Sequence, residues 1–344
     1  MLTNTIIYIL IFTIISALLV PLAKRIASHI NALDIPDQRK VHTKIMPRFG
    51  GFAVFMTFLV GVLTLINVSK TIIGILIAGF VIFFTGMIDD IHPIKARTKM
   101  LGQVASASIA VFYGNLVINE LTIFGGVINF GYFAYPITII FIVACMNIIN
   151  LIDGLDGLAG GICSIFYLSV IVICFFQKRF NLEFYLSVIM LGSTLGFLIF
   201  NFYPASIFMG DSGSLFMGFM IAIISILGFK ITAFTSILIP MSLVAIPILD
   251  TFFAILRRLW HNKSISEPDK DHLHHQLLKM KCSQLKTVLI IYGIDILFAI
   301  ASIIYTLNDN RTIFIGRIIY IVLFIATIIF VLKSNIIFDN KKDK

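Results

Sequence analysis

Apolar residues run along this chain in long uninterrupted blocks, broken by short polar connections, from one end to the other. Blocks of about 18 residues or more are long enough to cross the hydrocarbon core of a bilayer as α-helices. The pattern predicts eleven membrane helices, over 4–22, 51–68, 70–88, 100–114, 133–149, 161–177, 183–202, 212–229, 233–257, 286–307 and 312–333. The expected fold class is all-α: a polytopic integral membrane protein of one domain over 1–344. The stretch 115–132 is itself fairly apolar, which blurs the fourth and fifth helices.

Charge placement orients these helices. In MLTNTIIYILIFTIISALLVPLAKR the positive residues follow the apolar run and no basic segment precedes it. That order suits a first membrane helix with its N-terminus outside better than a secretion signal. The polar segments 23–50, 88–99 and 258–285 and the C-terminal tail then lie inside, and they carry most of the 26 Lys and Arg. Outer connections hold only Lys70, Lys178, Arg179, Lys230 and Arg311. Positive-inside bias thus places the C-terminus in the cytoplasm. All seven histidines (His29, His42, His92, His261, His272, His274, His275) and most of the acids fall on the same inner side, although the rule does not require them there. The cytoplasmic face therefore carries chemistry.

Composition narrows the class. With 59% hydrophobic and 12% charged residues and a mean hydropathy of +1.03, the chain has no polar exterior large enough for a soluble protein. The net charge of +9 is mostly the inner-loop bias and does not signal nucleic-acid binding. Cys145, Cys163, Cys174 and Cys282 form no CxxC pair, so neither zinc site nor disulfide framework is indicated.

Four inner stretches, within loops at about 88–99, 150–160, 203–211 and 258–285, carry unusual polarity. They are GMIDDIHPIKARTK with Asp89, Asp90 and Lys99; NIINLIDGLDGLAGG with Asn147, Asn150, Asp153 and Asp156; NFYPASIFMGDSGS with Asp211; and PDKDHLHHQLL with His272, His274 and His275. Paired acids at a helix end, a Gly-rich turn and a histidine cluster each have an ordinary solvated reading. The stretch at 147–161 resists it, because an Asp at mid-membrane costs roughly 2.5–3.5 kcal/mol and such residues usually face a polar cavity. Asp carboxylates are hard donors suited to Mg²⁺ shared with substrate phosphates, and the GDSGS turn offers backbone N–H groups at a helix start, a natural anion site. There is no GxxxxGK[ST] loop, HExxH or GxSxG motif. The residues point to Mg²⁺-assisted phosphoryl transfer at the inner membrane face. Alone they do not name the substrates.

Taken in order, GMIDD, NIINLIDGLDGLAGG, FMGDSGS and DHLHH resemble the polyprenyl-phosphate N-acetylhexosamine-1-phosphate transferases, over nearly the whole chain. DIPDQRKVHTKIMPRFGG (34–51) and PILDTFFAILRRL, with Asp250, resemble the branch that initiates O-antigen and teichoic acid synthesis. The resemblance implies a single transmembrane transferase domain in the bacterial inner membrane, with its cleft on the cytoplasmic face. It would move a sugar 1-phosphate, most simply GlcNAc-1-phosphate, from a UDP-N-acetylhexosamine to undecaprenyl phosphate and release UMP.

By the same resemblance Asp211, Asn150 and Asp90 hold Mg²⁺, with Mn²⁺ as a substitute, and Asp89 orients or activates the lipid phosphate. Lys99 binds that phosphate. Asn147, Asp153, Asp156, His272, His274 and His275 bind the donor, with Arg39, Lys40 and His42 as further donor contacts, and a homodimer would be in keeping with the family. Pro93 and Lys281 stand where family members often carry other residues. Two alternatives stay open: the peptidoglycan phospho-sugar transferase branch, and a secondary transporter, since broken helices and intramembrane acids also mark ion pathways. Against the transporter, only Asp295 and Arg317 lie well inside predicted helices, where a structural pair or snorkelling explains them.

Overall fold

The computed structural model describes residues 1–36, 45–123, 126–230, 276–278, 280–306, 314–316 and 318–330. Among these, seven helices are long and apolar enough to cross a membrane. They are α1 (Leu2–His29), α3 (Lys70–Ile91), α5 (Ala134–Ile152), α6 (Leu158–Phe176), α7 (Leu182–Asn201), α8 (Gly210–Lys230) and α9 (Gln284–Tyr305). Helices α2 (Gly51–Leu65) and α10 (Phe314–Phe330) are apolar but shorter. The expected fourth span is α4 (Ala96–Ser108), which runs on into a π-turn at Ile109–Tyr113. The predicted span 233–257, with Asp250, lies outside the described residues, as does Arg317 of the expected Asp295 pair.

The fold is not purely helical. The apolar stretch after α4 contains an antiparallel hairpin, β3 (Glu120–Ile123) with β4 (Gly126–Asn129). A second ribbon pairs β1 (Leu33–Asp34) with β2 (Met46–Pro47) just ahead of α2.

Helix α8 is the buried axis of the bundle: no residue from Gly210 to Gly228 is exposed. It packs mainly against α3 and α5, while α1, α2 and α6 gather around α7. Large apolar side chains such as Ile14 and Leu18 of α1 and Leu63 of α2 point outward, as expected where the solvent is lipid and burial of apolar surface gains nothing. Helix association then depends on close fit. At Gly86 of α3, a Cβ would lie 2.5 Å from the carbonyl carbon and oxygen of Asp211, so only glycine lets α3 touch the start of α8. One turn further on stand Asp89 and Asp90.

Candidate active site

The polar residues converge at one end of the bundle, where α3 and α5 end and α4, α6 and α8 begin. The β1–β2 ribbon supplies one more. Residues 47–51 pair with 208–209 through Phe208 N–H to Pro47 O (2.8 Å), Gly50 N–H to Phe208 O (2.9 Å) and Gly51 N–H to Met209 O (2.9 Å). This pairing sets Arg48 against the first turn of α8. Its Nη2 donates to Asp211 Oδ1 at 2.6 Å and its Nε lies 3.2 Å from Asp90 Oδ1.

Asp90 faces inward, with no exposed side-chain surface. It accepts from the backbone N–H of Asp211 (2.7 Å) and of Ser212 (3.0 Å), and from Ser212 Oγ (2.7 Å). It is an N-cap supplied from another helix, satisfying donors that a helix start otherwise leaves open. The expectation that the GDSGS turn offers its N–H groups to a substrate anion is corrected here. The N–H groups of Asp211 and Ser212 in that turn are already held by an internal carboxylate.

Lys99 is the centre of the cluster. Its Nζ is 3.2 Å from Asp89 Oδ2 and 3.4 Å from Asn150 Oδ1, and it bonds directly to Asp211 Oδ2. Asp89 Oδ1 also accepts from Ile94 N–H at 2.8 Å. Asn150 Nδ2 donates to Asp211 Oδ1 (3.1 Å) and to Ser214 Oγ (2.8 Å). One turn back, Asn147 and Gln103 exchange amide hydrogen bonds at 2.8 and 3.1 Å. Asp156 accepts from Ala205 N–H at 2.9 Å, tying the turn after α5 to the loop before α8.

The electrostatics are acidic. Among the described residues, Asp89, Asp90, Asp211, Asp153 and Asp156 outnumber the cations beside them, Arg48 and Lys99, and phosphate groups would be repelled without further positive charge. Burial opposes the Arg48 charge, but Asp211, Asp90, Asp34 and Asp153 outweigh it and hold its pKa above the ordinary value. Asp153, half-buried, is pushed up to about 7 by burial; Arg48 opposes this, and Asp211, Asp90 and Asp156 add to it.

A divalent cation fits these residues. The oxygens of Asp89, Asn150 and Asp211 converge on one point, and the Lys99 ammonium sits there as a stand-in cation. All three donors are hard oxygens of the kind Mg²⁺ prefers. Of the residues singled out in the sequence, Asp89, Asp90, Lys99, Asn150 and Asp211 form the cluster; Asp153 lies near it, beside Arg48, while Asn147 pairs with Gln103 and Asp156 with the loop before α8. Arg39, Lys40, His42, His272, His274 and His275 lie outside the described residues. Sequence reading missed Arg48, which it counted only among the basic loop residues, and Ser212, Ser214 and Gln103.

Fold and site together define a polytopic membrane protein whose site acids and cations are gathered at one end of the bundle. The glycosyl transferase family 4 model matches residues 72–229, from α3 through α8. A probable undecaprenyl-phosphate N-acetylglucosaminyl 1-phosphate transferase of Bacillus subtilis is 41% identical over 311 residues, covering 88% of this chain and 87% of that protein. A decaprenyl-phosphate N-acetylglucosaminephosphotransferase of Mycobacterium tuberculosis is 33% identical, covering 91% and 85%. An undecaprenyl-phosphate alpha-N-acetylglucosaminyl 1-phosphate transferase of Escherichia coli K12 is 26% identical, covering 75% and 72%. The chain belongs to glycosyl transferase family 4, among its polyprenyl-phosphate sugar-1-phosphate transferases.

Proposed function

We propose that this protein transfers N-acetylglucosamine 1-phosphate from UDP-N-acetylglucosamine to undecaprenyl phosphate, releasing UMP, with Mg²⁺ bound and the cleft facing the cytoplasm of a bacterial cell. The observation that carries the reading is the Lys99 ammonium enclosed by the oxygens of Asp89, Asn150 and Asp211, a cation locus at the end of a membrane bundle. The names of the relatives above supply the polyprenyl phosphate acceptor and the N-acetylglucosamine 1-phosphate group, and favour this reading over the peptidoglycan branch. A transporter would spread its charges along the midplane, whereas these meet at the bundle's end.

In this reading an oxygen of the lipid phosphate attacks the donor phosphorus that bears the sugar. The bond from that phosphorus to the UMP oxygen breaks, and UMP leaves. Such transfer needs positioning and charge neutralisation more than covalent help. Asp211, Asn150 and Asp89 would hold Mg²⁺, with Asp89 in the place expected for Asp90, whose oxygens are already taken by Asp211 N–H, Ser212 and Arg48; the bound metal would neutralise the donor diphosphate. Asp90, enclosed beneath, acts by holding the start of α8 and Arg48 in place. Lys99 receives the lipid phosphate, and Asp89 orients Lys99. No base is needed, because a phosphate monoester with a second pKa near 6 is already mostly ionised at neutral pH. Asp153 and Asp156 face the nucleotide sugar, with His272, His274, His275, Arg39 and His42 as candidate contacts to its diphosphate.

The test uses purified protein in detergent, undecaprenyl phosphate and UDP-N-acetylglucosamine labelled in the sugar, with Mg²⁺ or with EDTA. Label should enter lipid only with Mg²⁺, and Asp211→Asn should lower the rate by about 10²-fold or more. Transfer from a different UDP-sugar alone would keep the chemistry and change the donor. Failure with every UDP-sugar in folded protein would overturn the reading.

A further inference from the structure

The turn between α5 and α6 carries Asp153 and Asp156, and one residue beyond them its backbone is held from two distant helices. Gly157 has φ +78°, a left-handed conformation that glycine adopts without strain. It begins α6 with no side-chain cap. Its N–H donates to Asn201 Oδ1 at 3.1 Å, at the end of α7. Its carbonyl accepts from the Tyr292 hydroxyl at 2.5 Å, reaching in from α9. Asn201 Nδ2 also donates to Ile207 O at 2.9 Å, in the loop that leads to Asp211. The N–H and the C=O of this one residue, in two successive peptide units, are thus each held by a distant side chain, and one of those side chains also holds the Asp211 loop. Tyr292 fits only because position 161 is glycine, since a Cβ there would overlap its phenol ring.

We propose that Tyr292 and Asn201 are positioning residues for the donor pocket, acting through the backbone on either side of Gly157 to set where Asp153 and Asp156 stand relative to Asp211. This rests on the reading of Asp153 and Asp156 as donor contacts. The bonds of Tyr292 and Asn201 go to the Gly157 backbone and to Ile207 O, and not to Lys99 or the oxygens around it, where the lipid phosphate is received. Loss of the clasp therefore weakens the donor selectively. An exposed surface tyrosine would have no such effect. This one is half-buried, and its hydroxyl bonds to the backbone of the turn itself.

Tyr292→Phe removes only the hydroxyl. Its KM for UDP-N-acetylglucosamine should rise about tenfold, the worth of one hydrogen bond in a constrained site. The KM for undecaprenyl phosphate and kcat should change less than about twofold. Gly161→Ala, which drives the phenol aside without removing it, should give the same split. Equal loss in both substrates, or a lowered kcat with donor KM unchanged, would overturn the proposal. Hydrogen exchange gives a readout independent of activity. The amides of Gly157 to Gly161 should exchange faster in Tyr292→Phe with the rest of α6 unchanged, and unchanged protection there would overturn it too. A wild type that transfers nothing while Tyr292→Phe still loosens these amides would count against the proposed activity and not against the clasp.

Discussion

Lys99 and Asp153 carry opposite electrostatic burdens, and each can be tested alone. The Lys99 ammonium balances Asp89 and Asp211 and occupies the point where their oxygens converge with that of Asn150. In Lys99→Met those oxygens lose their resident cation. Mn²⁺ affinity, read by electron paramagnetic resonance, should rise about tenfold while transfer falls, because one close charge partner in a partly solvated site is worth about that much. Weaker Mn²⁺ binding would mean that Lys99 does not compete for the locus. Asp153 has its pKa pushed up to about 7, above the roughly 3.9 of an unfolded Asp. Its charge therefore destabilises the fold, with no penalty below about pH 4 and the full penalty above about pH 7. Asp153→Asn should raise the melting temperature of EDTA-treated protein near pH 8 more than near pH 5, and should weaken donor binding. An equal gain at both would contradict the assignment. Asp89, Asp153 and Asp211 were legible in the sequence because carboxylates stand out in a chain with 12% charged residues. Arg48 was not. Its role depends on residues 47–51 pairing with 208–209, a contact across some 160 positions, and local spacing carries no trace of that.

At the scale of elements, the junction of α3 with α8 organises the site. Gly86 allows backbone contact, and one turn later Asp90 caps α8. Gly86→Ala adds one methyl against the Asp211 and Ser212 backbone, so it must push α8 away and loosen the cap. The expected result is about 1–3 kcal/mol lower stability, as for other overpacked interiors, with transfer reduced more than tenfold. A variant as stable and active as wild type would show that the junction is slack. Helices α1, α3, α5 to α8 and α9 were readable as apolar runs because lipid imposes length and hydropathy on each. The β3–β4 hairpin was not, since its residues continue an apolar stretch and its pairing depends on the turn between the strands. Tyr292 and Asn201 were equally hidden, as single polar residues within apolar helices.

For the whole molecule, one gradient governs the design. Apolar side chains of α1, α2 and α9 face outward along the bundle, α8 is enclosed throughout, and the acids and cations of the site meet at one end. That arrangement suits a reaction joining a membrane-embedded lipid phosphate to a water-soluble nucleotide sugar, each arriving from its own phase. The central claim is that the phosphorus travels with the sugar. UDP-N-acetylglucosamine labelled with ³²P at the phosphorus next to the sugar tests this most directly, with undecaprenyl phosphate and Mg²⁺. The account predicts that the label enters the lipid product and that unlabelled UMP is released in equal amount. Label retained in released UDP would mean transfer of the sugar alone, and would contradict it.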